Sequence, residues 1–212
     1  MILLGSTLSP FVRKTNAFII EKGLNVELRQ VRPGDADPVF RAASPLGKIP
    51  GFKDGDFTIS DSSAIITYLD VKHPAPTLIP ATAEARARTI WFEEFADTVL
   101  NPCVGKVFFN RVVAPKLMGQ PGDQAAADAC EAEELPRYFA YLEGVLPASG
   151  FLVEDRITLA DLAVASPFVN FAHASVAIDA AIYPKLTRYL ASLHARASFA
   201  GMIAAEKAML GG

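Results

Sequence analysis

Cysteine is scarce in this chain. Cys103 and Cys130 are the only two, and they form no CxxC pair. That excludes a disulfide-built scaffold and argues against a zinc centre. The three histidines, His73, His173 and His194, share no metal-ligand spacing, so no metal is expected. A surplus of charge of one sign is also missing: Lys+Arg number 20 against 23 Asp+Glu. Residues 1–80 carry a net +1 and residues 81–212 a net −4. Neither half has the basic excess that nucleic-acid binding usually needs, so no nucleic-acid partner is expected. Uninterrupted hydrophobic runs are lacking too. The apolar stretch Ala163–Ile182 contains Pro167, Asn170, His173 and Asp179, which fits a buried core helix and not a membrane span. Met1–Leu4 is apolar with no basic segment before it, so neither a signal peptide nor a membrane partner is expected, and the location expected is cytoplasmic.

Core-forming material is plentiful. Hydrophobic residues make up 51% of the chain and charged residues 20%, a balance far from that of disordered chains. The first eighty residues alternate strand and helix signals. Ile2–Gly5 reads as a short buried strand. Ser9 before Pro10 reads as a cap followed by proline at the first helical position, with Gly23 as the stop. Val26–Val31 alternates like a strand. Pro33–Pro38 is a loop and Val39–Ala43 a short helix. Ile49–Lys53 and Phe57–Ser60 flank Asp54–Gly55 as a hairpin, and Ser62 opens a helix that ends before Pro74. The order β-α-β-α-β-β-α is a thioredoxin-like α/β pattern. Pro74, Pro76 and Pro80 mark a linker. Beyond it only helices are expected: Ala83–Asn110, Asp123–Leu146 bent at Pro136, Leu159–Ala177, Lys185–Ala195 and Phe199–Leu210. The expected organisation is a thioredoxin-like domain at 1–76, a linker at 77–82 and an all-α helical bundle at 83–212.

Four patches in order carry a resemblance. They are Ser9-Pro10-Phe11-Val12-Arg13-Lys14 with Glu21-Lys22-Gly23-Leu24; Ser44-Pro45-Leu46-Gly47-Lys48-Ile49-Pro50; Ile59-Ser60-Asp61-Ser62-Ser63-Ala64-Ile65; and Ile157-Thr158-Leu159-Ala160-Asp161. Together they resemble the cytosolic glutathione transferase superfamily, in its serine-type classes such as tau and zeta. The resemblance implies the glutathione transferase fold, glutathione as co-substrate, a small hydrophobic electrophile as second substrate, a detoxifying role and a homodimer.

It also implies roles. Ser9 is the expected catalytic residue. A thiol with a pKa near 8.5 is only a few per cent thiolate at neutral pH. A hydroxyl donating to the sulfur, with the N-terminus of the first helix beside it, favours the anion. Lowering the pKa by about two units takes about 2.7 kcal/mol. From the residues alone Ser9 is equally a plain helix cap, and Ser6 and Thr7 are nearby alternatives. Arg13 reads as an exposed helix charge or an electrostatic aid. The resemblance makes Pro50 a cis proline whose preceding Ile49 backbone pairs with the cysteinyl unit of glutathione. Lys48 is a candidate for the glycyl carboxylate. Ser62 is assigned to the γ-glutamyl carboxylate at a helix N-terminus and Asp61 to the neighbouring ammonium; Asp61 stands where many relatives have Glu or Gln. Phe11, also counted with the glutathione-binding residues, joins Val104, Phe108, Phe109 and Arg111 as the candidate second-substrate pocket between the domains. Thr158 and Asp161 form a structural capping box. Two rivals remain: a glutathione-dependent isomerase of the maleylacetoacetate type, and a non-catalytic binding or regulatory member of the fold.

Overall fold

The computed structural model describes residues 1–211. Strand β1 (Ile2–Leu4), helix α1 (Pro10–Glu21) and strand β2 (Glu27–Arg29) form the first crossover, and α2 (Pro38–Ala43) leads to the hairpin β3 (Gly51–Asp54) and β4 (Phe57–Ser60), followed by α3 (Ser62–Lys72). The sheet order is β2-β1-β3-β4. β1 and β2 are parallel, and β3 runs antiparallel to both β1 and β4. Gly23, at φ +66°, ends α1 as expected.

Two strands are shorter than the sequence pattern suggests. β2 pairs only with β1, so its ladder is limited to the three residues opposite Ile2–Leu4. Val31 lies beyond it and joins Leu4, Phe40 and Ala43 in a small core of its own. β3 starts at Gly51 and not at Ile49, because Pro50 has no N–H to give to a ladder.

The linker crosses with Leu78 and Ile79 buried, and the Leu78 carbonyl accepts from Leu159 N. The following segment is helical further than expected, through Leu117. It comprises α4 (Ala83–Phe95), a π-helical stretch Ala96–Leu100, α5 (Asn101–Phe108) and a second π-helical stretch Phe109–Leu117. A third such stretch, Cys130–Glu134, separates α6 (Gln124–Ala129) from α7 (Leu135–Val145). Each widened turn lies at or just before a proline: Pro102, Pro115 and Pro136. A proline inside a helix removes an N–H and crowds the preceding carbonyl, and a wider turn absorbs both.

Helix α8 (Leu159–His173) is the centre of the helical domain, with every residue from Leu159 to Phe171 buried. It stops short of Ala177 because Ser175, at φ +62°, turns the chain left-handed and lets Val176 N return to the Phe171 carbonyl. α9 (Pro184–His194) and α10 (Ala197–Leu210) complete the bundle. Among the described residues no helix is long and apolar enough to cross a membrane.

The start of α8 is the capping box expected from Thr158 and Asp161. The buried Asp161 carboxylate accepts from Thr158 N at 2.8 Å, Thr158 Oγ1 at 3.1 Å, Leu152 N at 2.9 Å and the Tyr189 hydroxyl at 3.3 Å. Thr158→Ala is expected to lower stability by about 1 kcal/mol. Asp161→Ala should lower it by about 1–3 kcal/mol, because buried donors lose their acceptor. Unchanged denaturant midpoints in both variants would refute this. Burial nonetheless pushes the Asp161 carboxyl up to about 6, with the four donors acting in the opposite direction. The folded state therefore holds this proton more tightly than the unfolded chain. Its contribution to stability is greatest in acid and falls as pH rises from about 4 to about 6. Subtracting the pH profile of Asp161→Asn from that of the wild type isolates the slope.

Candidate functional site

The sheet register brings three loops to one place. Leu4 faces both Arg29 and Gly51, and Gly51 faces Ser60. At this end of the sheet β1 and β4 stop and β3 starts, so the segments carrying Ser9, Ile49–Pro50 and Asp61–Ser62 all leave from it. Gly5 makes the convergence close. A Cβ there would lie 2.5 Å from a Val12 methyl and 3.4 Å from the Ile49 Cβ.

Ser9 is the N-cap residue of α1 by backbone geometry, with φ −80° and ψ 125°. Its hydroxyl, however, caps nothing and makes no hydrogen bond among the described residues. The plain-cap reading therefore lacks the bond that defines it. The half-buried hydroxyl stands at the positive end of a helix with its hydrogen-bonding capacity free. Ser6 is half-buried, and Thr7 is buried.

The loop around Ser9 is gripped from the helical domain. Asn170 Nδ2 donates to the Leu8 carbonyl at 2.8 Å, and Ser166 Oγ donates to the Pro10 carbonyl at 2.8 Å. The carbonyls on either side of Ser9 are thus held by two α8 side chains four residues apart, on one helical face. Arg13 completes the grip. It is not the exposed helix charge that the sequence suggests; it is fully buried. Its guanidinium donates to Glu206 Oε1 at 3.0 Å and Oε2 at 2.7 Å, to the Ser166 carbonyl at 2.8 Å and to Asn170 Oδ1 at 2.7 Å. His173 Nε2 lies 2.9 Å from Glu206 Oε2. Burial works against the Glu206 charge, but the His173 contact and the Arg13 guanidinium outweigh it and hold the carboxyl below its usual range. The Arg13 charge is committed to Glu206, and its part at the site is positional. Ser166, Asn170 and Glu206 were missed as site residues. The available signal was polar side chains inside the two most apolar helical segments.

Ile49–Pro50 is cis. Among the described residues the Ile49 N–H and C=O make no backbone hydrogen bond, and Ser44 Oγ fixes the preceding loop through the Lys48 carbonyl at 2.6 Å. Lys48 is exposed and has no acidic partner among the described residues. Asp61 sits at φ +79° and ψ 130°, a strained backbone for any residue but glycine. Its Oδ1 caps α3 through Ser63 N at 2.9 Å and Ala64 N at 3.1 Å, which leaves Oδ2 free in solvent. Ser62 follows, buried, and its Oγ has no partner among the described residues. An unpaired buried hydroxyl at a helix N-terminus is costly unless a ligand completes it, and the ligand that suits it is an anion. Beside it Ser63 Oγ donates to Glu93 Oε1 at 2.7 Å, and Lys14 bridges Glu93 and Asp97 at 3.0 and 2.6 Å.

The five candidates for the second-substrate pocket are less unified. Phe11 is half-buried at the start of α1, with the Lys14 ammonium 5.9 Å from its ring centre. Val104 and Phe108 are buried on α5, and the Phe108 ring lies 6.3 Å from His173. Phe109 is 44% exposed. Arg111 is tied to Asp128, Glu131 and the Ala174 carbonyl, all in the helical domain. No hydrogen bond or ion pair among the described residues joins Arg111 to Phe11.

Comparison with known proteins gives this geometry a family. Residues 3–77 match the family profile of the glutathione S-transferase N-terminal domain, and residues 100–197 that of the glutathione S-transferase C-terminal domain. The chain is 34% identical to glutathione S-transferase 3 of Zea mays over 164 residues, covering 75% of this chain and 72% of that one. The chain belongs to the glutathione S-transferase family. It is also 29% identical over 208 residues to an uncharacterized GST-like protein, YibF, of Escherichia coli (strain K12), covering 94% of this chain and 96% of that one. Among solved structures it superposes on human glutathione-S-transferase T1-1 in its apo form with a TM-score of 0.83 at 27% identity, covering 99% of this chain and 88% of that one. Membership of the glutathione S-transferase family carries the fold and the enzyme type, with glutathione as co-substrate.

Proposed function

We propose that this glutathione S-transferase is of the serine type: Ser9 donates its hydroxyl hydrogen to the sulfur of bound glutathione, and the resulting thiolate attacks a hydrophobic electrophile at carbon. One observation carries the reading. Two serine hydroxyls that have no partner among the described residues, half-buried Ser9 at the start of α1 and buried Ser62 at the start of α3, stand at the same end of one sheet with the free Ile49 backbone between them. An extended tripeptide with a thiol at its middle residue and a carboxylate at its γ-glutamyl end complements that order. Asp61 Oδ2 suits the γ-glutamyl ammonium and Lys48 the glycyl carboxylate. Residues 1–76 supply this half of the site. Residues 83–212 supply the electrophile's half through Val104 and Phe108 together with Phe11, joined by the linker at 77–82.

The protein is proposed to act as a cytoplasmic homodimer. Trp91, 49% exposed, stacks on Phe95 at 5.6 Å beside Tyr138 and Tyr141. An aromatic face of this kind on α4 and α7 suits burial against a second copy.

Retention on immobilised glutathione and turnover of an aryl halide test the reading together. Binding without turnover on a broad electrophile panel would leave the non-catalytic alternative. Ser62→Ala is expected to raise the KM for glutathione about tenfold or more and to leave kcat within about twofold, the signature of a lost ground-state contact to a charged group. An unchanged KM would remove Ser62 from the site.

A further inference from the structure

The cysteine spacing argues against a metal centre, yet folding brings the only two cysteines together. Cys103 lies on α5, Cys130 opens the third π-helical stretch, and both are buried. Glu134 closes that stretch. The two sulfurs and a Glu134 carboxylate oxygen all lie within 4.8 Å of one another. Cys103 Sγ is 3.8 Å from Glu134 Oε2, while Lys106 Nζ donates to Glu134 Oε1 at 2.6 Å. The lysine holds the carboxylate by its outer oxygen and leaves the inner one turned to the thiols, the outer-shell arrangement that orients metal ligands.

We propose that Cys103, Cys130 and Glu134 form a binding site for a thiophilic divalent cation of the zinc–cadmium class, with a fourth coordination position open on the Glu134 side. Two sulfur donors exclude magnesium and calcium, which take oxygen ligands. Bond lengths of about 2.3 Å to sulfur and about 2.0–2.2 Å to oxygen place tetrahedral ligands about 3.4–3.8 Å apart, so the present spread closes by at most about 1.4 Å. Charge selects the valence. Two thiolates, one carboxylate, the Lys106 ammonium and a divalent ion sum to zero, whereas a monovalent ion would leave a net negative charge among buried groups. Burial pushes both thiols above the usual cysteine range, so both are protonated before the ion arrives. Binding forms two sulfur–metal bonds and releases two protons to solvent. Access is short, since the side chains of Lys106 and Glu134 are 46% and 30% exposed while the sulfurs lie just behind them.

The test is a cadmium titration of the reduced protein without glutathione. It is followed by the ultraviolet sulfur-to-cadmium charge-transfer band and by proton release in weak buffer. The expected result is saturation at a single ion per chain with two protons released, and loss of the band in Cys103→Ser and Cys130→Ser. Glu134→Gln lies at the surface and tests the site even if the thiol variants fail to fold. It should weaken cadmium binding about tenfold or more while transferase turnover is unchanged. No band at stoichiometric cadmium, or full-strength binding by Glu134→Gln, overturns the proposal.

Discussion

Glu206→Ala is expected to lower the unfolding free energy by about 3–5 kcal/mol at neutral pH. The guanidinium of Arg13 lies beneath the Ser9 loop with no solvent contact, and among the described residues Glu206 supplies its only carboxylate, through both oxygens. Removing Glu206 leaves Arg13 charged, buried and with two unpaired donors, and takes a partner from His173. The figure measures the cost of a stranded cation and not the worth of the pair, which a well-packed apolar substitution could equal. Since whole domains are stable by about 5–15 kcal/mol, the variant should be marginal at room temperature. The titration of Glu206 gives a second handle. Its folded pKa lies below its unfolded value, so its stabilisation is present above about pH 4.3 and is lost as pH falls through the folded value. Urea unfolding of wild type and Glu206→Ala at neutral pH checks the first point. A difference under about 1 kcal/mol would mean that the buried pair does not hold the two domains together.

Ser9→Ala is expected to lower turnover about tenfold or more, an increase of at least about 1.4 kcal/mol in the barrier. The hydroxyl makes no hydrogen bond among the described residues, so its removal should leave the unfolding midpoint unchanged. That pairing of a large kinetic effect with no stability effect separates a catalytic hydroxyl from a helix cap, which would show the reverse. The loss should appear in kcat as well as in kcat/KM, because the bond strengthens as sulfur takes negative charge. Near-normal turnover in Ser9→Ala would shift the role to Ser6. Thr7 is a poorer substitute, because it is buried.

Features set by neighbouring residues were legible in the sequence. Ser9–Pro10 marks the start of α1, the Asp54–Gly55 pair the hairpin, and Thr158 with Asp161 the start of α8, because caps and turns depend on residues a few positions apart. The widened turns were not legible. Proline signals a break, but whether the helix stops, bends or widens depends on what packs against it, and at Pro115 and Pro136 the chain stays helical. The end of α8 was missed because Ser175 takes a left-handed turn normally marked by glycine. The candidate site divides the same way. Ser9, Asp61 and Ser62 stand at helix starts that sequence locates. The grip of Asn170, Ser166 and Glu206 on the Ser9 loop spans more than 150 positions of chain and follows only from the docking of α8 and α10 on α1. Arg13 was misread for that reason: helical periodicity says which face a residue occupies, but not that another domain covers it. The meeting of Cys103 with Cys130 likewise depends on how two helices pack.

The central claim, that Ser9 holds the glutathione sulfur as its anion, is tested most directly by titrating the ultraviolet thiolate absorbance of glutathione bound to wild type and to Ser9→Ala. In the wild type the bound thiol should ionise about two units below the free value near 8.5, and in Ser9→Ala most of that displacement should vanish. A bound thiol that ionises at the free value in the wild type, or at the same lowered value in both proteins, contradicts it.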